Sequence, residues 1–101
     1  MMDATTSLHY VAEANWGVSL IAFEQAKKPL DAVHCTCYKE AQLQLAFNHA
    51  VNACILYRSI GESLRAALLT CLIGLIEQES GKLDDARQHL QVLRFDAGGA
   101  A

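Results

Sequence analysis

Proline is nearly missing from this chain, with one in 101 residues, and charge is scarce, with Asp, Glu, Lys and Arg together at 19% against the roughly 25% of an ordinary soluble domain. The first scarcity leaves little to break helices. The second leaves a surface poor in charge, which predicts contact with another molecule. Period-two runs of β-branched residues are absent, which excludes a sheet protein. The longest apolar run, Ala66 to Ile76, is interrupted by Thr70 and Gly74 and falls short of the roughly 18 to 20 residues of a membrane span. "MMDATTSLHYVAEANWG" lacks the basic start and apolar core of a signal peptide, so the expected location is the cytoplasm. Eight Lys and Arg among eleven Asp and Glu, for a net charge of −3, form no basic stripe, and nucleic acid is not an expected ligand. A phosphate-binding glycine loop, paired catalytic carboxylates and a hydrolase elbow are all missing. The expectation is a protein that is not an enzyme and needs no cofactor.

What is present is apolar, at 52% of residues, and spaced for helices, so the fold class is all-α, about four antiparallel helices in one domain over residues 1–95 with a frayed tail over 96–101. The first helix starts after Thr5, Thr6 and Ser7, carries Leu8, Val11, Trp16, Leu20 and Phe23, and ends near Lys27 and Lys28, before Pro29. The second is capped by Asp31 or Thr36, drawn from near Asp31, and runs to about Ser59. Its two apolar faces, one through Leu43, Phe47, Ala50, Val51, Cys54 and Tyr57 and one through Leu45, Ala53, Leu56 and Ile60, predict burial on two sides. The third, from about Glu62 to Glu79, is apolar almost all round and is expected at the centre of the fold. Its small residues Ser63, Ala67, Thr70 and Gly74 offer a stripe for close approach. The fourth, from about Leu83 to Leu93, is amphipathic through Leu83, Ala86, Leu90 and Leu93.

Two stretches resemble each other. "YRSIGESLRA" sets Gly61 five residues before Ala66, and "EQESGKLDDA" sets Gly81 five residues before Ala86, 20 residues on. A glycine suits the left-handed residue that ends many helices, and the alanine allows the next helix to pass close. Both therefore predict tight helical hairpins. Ser59 and Glu62 also fit a capping box, which would start the third helix at Ile60 and compete with a Gly61 cap.

Over residues 68 to 95 the pattern resembles the tetratricopeptide family, whose repeat of roughly 34 residues has a leucine-small pair, a turn glycine, an alanine and an aromatic in order. Ile73 and Gly74 take the pair, Gly81 the turn, Ala86 the alanine and Leu90 the aromatic. Thr70 and Glu77 depart, standing where the family prefers large aromatics. The helix period fits longer relatives, with roughly 40 residues per hairpin. The alternative is a plain four-helix bundle.

The resemblance implies a concave surface bearing Leu68, Cys71, Leu75 and Gln78, an apolar groove for a partner helix. In size, expected fold and groove the chain looks like the small chaperones of bacterial type III secretion. The implied function is an adaptor or chaperone; a self-associating scaffold is the alternative from another class. The partner is another protein or a second copy, in a homo- or hetero-oligomer. Arg58 and Arg65 flank the Gly61 turn and are candidates for a partner's carboxylate.

Four cysteines, Cys35, Cys37, Cys54 and Cys71, are expected as free thiols in a reducing compartment. "HCTCYKE" is the one metal-like stretch, with His34 and Cys37 on a helical face and Cys35 beside them. A structural zinc needs four ligands from two spaced pairs, and no second pair occurs. Metal binding or redox sensing through His34, Cys35 and Cys37 is a further alternative. His9 with Glu13, and His89 with Asp85, are spaced as surface pairs.

Overall fold

The computed structural model describes residues 3–29 and 35–99, apart from the side chains of Ala86, Arg87 and residues 89–99. The described residues form three helices, α1 over Ala4–Ala26, α2 over Thr36–Ser59 and α3 over Ser63–Gly99, and no strand occurs among them. The order of helices is compatible with a helical-repeat fold. There are three of them, where four are expected from the sequence.

α1 opens on Asp3, two residues before the first of the predicted caps. Its carboxylate oxygen accepts the Thr6 backbone N–H at 2.7 Å, filling one of the four orphan donors of a helix start. The helix closes at Lys27, whose N–H reaches the Phe23 carbonyl at 3.1 Å, before Pro29, as predicted. α2 begins at Thr36 with Cys35 as its extended cap residue. The drawn start at Asp31 lies outside the described residues.

α2 ends in a Schellman turn. Gly61, at φ +79°, donates its N–H to the Arg58 carbonyl at 3.2 Å, and Glu62 donates to the Tyr57 carbonyl at 2.8 Å. The carbonyl of Glu62 then accepts the Ala66 N–H at 3.0 Å, so one residue closes α2 and opens α3. The capping box does not form, and the Ser59 hydroxyl instead bonds back to the Leu56 carbonyl at 2.7 Å.

No second turn forms at Gly81. The helix runs straight through it, fusing the predicted third and fourth helices, and a Cβ built on Gly81 would meet nothing within 4 Å. The predicted close packing at Gly81 is therefore overturned. The physical reason lies in the flanks: Ile60 packs beside the core at the true turn, whereas Glu77, Gln78, Glu79 and Ser80 supply no apolar anchor for a reversal. Lys82 instead bridges to Glu79 at 3.1 Å across the glycine. Continuing the helix also keeps Leu83 on the stripe of Leu69 and Ile76, seven residues apart each time, where it packs against the core. An interior glycine costs only about 1 kcal/mol relative to alanine, which these terms offset.

α2 is the middle helix, packed by α1 on one side and α3 on the other, while α1 and α3 barely meet. α2 is buried on two sides, as predicted, although Leu45 of the second predicted face is exposed, and the central position expected of the third helix belongs to α2. Polar ties fix α1 against α2 in antiparallel register: Asn15 with His49 at 2.8 Å, Ser19 Oγ to the Ala46 carbonyl at 2.7 Å, and Lys39 Nζ to the Ala26 carbonyl at 2.8 Å. The last bond satisfies an orphan carbonyl at the end of α1, with the cation at the negative pole of the helix.

Alanine dominates the contact. Ala12, Ala22 and Ala26 of α1 meet Ala46, Ala50 and Ala53 of α2, all buried, so the helix backbones lie close. Phe23 is buried and Trp16 packs on the core as expected, but Leu8, Val11 and Leu20 are exposed. A small-residue face gives two helices more shared surface than a bulky one, and it won. On the other side of α2, Leu69 and Ile76 are fully buried, each contributing about 1.5 to 3 kcal/mol of apolar burial.

Candidate interaction surface

The groove residues expected on the third helix fall at spacings of three and four, so a single helix places Leu68, Cys71, Leu75 and Gln78 on one face. All four are exposed, and Leu64 extends the row. Leu64 is 75% exposed, Leu68 48% and Leu75 51%. On a soluble helix such a row is normally turned inward. Here the inward face is a different one, through Ala66, Leu69, Leu72 and Ile76, so α3 carries two apolar stripes and uses only one. Further large apolar side chains stand exposed on α1, among them Tyr10, Leu20 and Ile21.

The two arginines part company. Arg58 is exposed and borders a cleft with Ser63, Ala67, Thr70 and Cys71. Arg65 turns inward, its Nη1 2.9 Å from His9 Nε2 and its guanidinium 5.9 Å from the centre of the Tyr57 ring. It ties α3 to α1 and is committed within the fold.

Around it lies a cluster that no sequence spacing announced. His9 and Trp16 meet the Tyr57 ring edge-on, at 5.8 and 5.9 Å between centroids. His9 Nε2 also lies 3.1 Å from Glu13 Oε1, forming the predicted pair. That nitrogen holds at most one proton, so a neutral ring either donates to Glu13 or accepts from Arg65. Tyr57 is fully buried, and its hydroxyl has no hydrogen-bond partner among the described residues. Burial above all, and then the Glu13 carboxylate, push its pKa up; Arg65 opposes this and Glu62 adds to it. α1 supplies His9, Glu13 and Trp16, α2 Tyr57 and α3 Arg65, so only tertiary structure reveals the group.

Cys35 and Cys37 are exposed at the start of α2, Cys71 is exposed on the α3 row, and Cys54 is buried, all as free thiols. His34 lies outside the described residues, and among those described no group of three or more His, Cys, Asp or Glu is arranged to hold a metal ion. The side chain of His89 is likewise outside the description. No described helix is long and apolar enough to cross a membrane.

Comparison of the chain with protein-family models, with curated proteins and with solved structures finds no match in any of the three.

Proposed function

We propose that this chain is a non-enzymatic protein–protein interaction module, an adaptor or chaperone that takes a partner helix on the outer face of α3. The observation that carries this reading is the exposed row Leu64, Leu68, Cys71 and Leu75. Apolar rows at this spacing suit the apolar face of a second helix, the helix-in-groove mode of recognition. In the tetratricopeptide-like version of this reading, α1 and α2 make one hairpin and α3 opens the next. The resemblance to small type III secretion chaperones suits a cytoplasmic protein that shields an aggregation-prone client, and it needs neither metal nor cofactor.

The second reading, a self-associating scaffold, draws on the same row. Its spacing of four, three and four is the same read in either direction, so two copies of α3 could meet antiparallel, Leu68 against Cys71.

Light scattering at micromolar concentration, with a hydrophobic dye as second readout, tests both. The adaptor reading expects a monomer that binds dye, and a Leu68→Glu, Leu75→Glu variant of unchanged helicity that does not. A stable dimer split by the same substitutions would establish the scaffold instead. A double variant that unfolds, or one that binds dye as the parent does, would remove the row from either role.

A further inference from the structure

α3 has another unpartnered side. Two clefts open between α2 and α3. One, of ≈ 470 Å³, lies at the Gly61 end between Arg58 of α2 and Ser63, Ala67 and Thr70 of α3. The other, of ≈ 390 Å³, has Leu43, Phe47 and Leu83 as its apolar wall and Glu40, Glu77 and Asp84 at its rim. Residues 40, 44, 47, 51 and 58 recur along one face of α2, and residues 63, 67, 70, 74, 77 and 84 along one face of α3. The clefts are therefore stretches of one furrow, about 27 Å long at 1.5 Å per residue. It lies away from α1, because the α2 residues that bond α1, Lys39 and His49, stand about a third of a turn or more round the helix.

The furrow has the features of a seat for a helix. Ser63, Ala67 and Thr70 are small and exposed, and a Cβ added at Gly74 would meet nothing within 4 Å, so a third backbone could approach closely. Its charge is polar along the axis, with Glu77 and Asp84 towards one end and Arg58 at the other. A helix entering with its N-terminus at the carboxylates sets its positive pole against them and its negative pole by Arg58. Among the described residues, α1 carries Lys27 at its C-terminus, the wrong end, and the stretch of α3 beyond Gly81 has Asp84 and Asp85 early in its run; the stretch from Arg65 to Glu79 has the charge order, but its Arg65 is committed to His9 and Tyr57 within the fold.

We propose that the α2–α3 furrow seats an amphipathic helix of a different protein, basic over its first turns and acidic over its last, lying parallel to α2. This goes beyond the Leu68 and Leu75 face, which the furrow meets at Cys71, and does not depend on it. The test uses the full chain and two end-capped peptides of furrow length, each with leucines at three and four spacing. One has lysines in its first two turns and glutamates in its last two; the other has these charges exchanged. Fluorescence titration should show the lysine-first peptide binding about tenfold or more tightly than its counterpart, with amide shifts at Phe47, Thr70 and Gly74. Glu77→Lys with Asp84→Lys, both at exposed positions, should abolish or invert the preference, while Leu68→Glu leaves it intact. Equal affinities, no binding of either peptide, or loss of the preference in the Leu68→Glu protein would each overturn the proposal. So would a dimer that Ala67→Glu dissociates, since the furrow would then belong to a second copy.

Discussion

The Ser19 hydroxyl donates to the Ala46 carbonyl at 2.7 Å across the α1–α2 contact, and both residues are fully buried. The bond sits between alanine faces, where there is room for a hydroxyl and little more. Ser19→Ala should cost about 0.5 to 1.5 kcal/mol, the net value of a hydrogen bond, because the carbonyl keeps its helical partner. Ser19→Leu should cost more, about 1 to 3 kcal/mol or above, since the helices must separate to admit it. Urea unfolding followed by circular dichroism measures both, and a Leu variant as stable as the Ala variant would contradict the close packing.

Tyr57 gives the opposite expectation for a hydroxyl. Its oxygen is buried without a partner, so Tyr57→Phe removes a desolvated group and should leave stability unchanged or raise it by about 1 kcal/mol. Tyr57→Ala, which empties the meeting point of His9, Trp16 and Arg65, should cost about 3 to 5 kcal/mol.

The same residue predicts an alkaline signature. The folded state holds the Tyr57 pKa above its usual 10.0, so the unfolded chain releases this proton first. The contribution to stability is whole below pH 10 and is lost as pH rises through the folded value. Denaturation midpoints between pH 9 and 11 should fall less steeply in Tyr57→Phe than in the parent. Parallel curves would show that Tyr57 does not govern this range.

Asp3 marks the acid side. Its pKa is lowered, chiefly by the Thr6 backbone N–H, with the Thr6 hydroxyl helping. A depressed carboxylate stabilises the fold above its unfolded pKa, near 3.8, and this is lost as pH falls through the folded value. The protection factor of the Thr6 amide, its exchange corrected for the intrinsic rate at each pH, should therefore fall in acid, and at neutral pH in Asp3→Ala. Protection at Thr6 that ignores both changes would argue against the cap.

The two glycines of the repeated motif should now respond in opposite directions. Gly81→Ala, in mid-helix with open space around it, should stabilise by about 0.5 to 1 kcal/mol. Gly61→Ala, at φ +79°, should destabilise by about 1 to 2 kcal/mol, the cost of a left-handed conformation for a residue with a Cβ. Thermal melts of the two proteins give the signs, and a destabilised Gly81→Ala would restore the hairpin.

These glycines also show how far the sequence could be read. Helix content, the end of α1 ahead of Pro29, the Gly61 turn and the buried face of α2 through Leu43, Cys54 and Tyr57 all follow from spacing and turn chemistry. The stretch around Gly81 shares with that around Gly61 a glycine and an alanine five residues on, yet a turn also needs an apolar residue to pin it, and Ile60 has no counterpart there. On α1 the larger residues were expected inside, but the packing selects the alanines, whose advantage exists only once a second alanine face is opposite. That Leu68, Cys71, Leu75 and Gln78 share a face was legible because it depends on one helix alone. The His9, Tyr57 and Arg65 cluster was not, since residues 56 apart, such as His9 and Arg65, come together only through the register of three helices.

Glu62 belongs to two helices at once, its N–H bonded back into α2 and its carbonyl bonded forward into α3. The elbow there has no slack. The angle between α2 and α3, and with it the width of the furrow along their seam, is set by a joint a few atoms long and cannot be adjusted by a yielding linker. A residue inserted between Gly61 and Ser63 would uncouple the two helices without touching a single side chain of the furrow, and would change its gauge along the whole length.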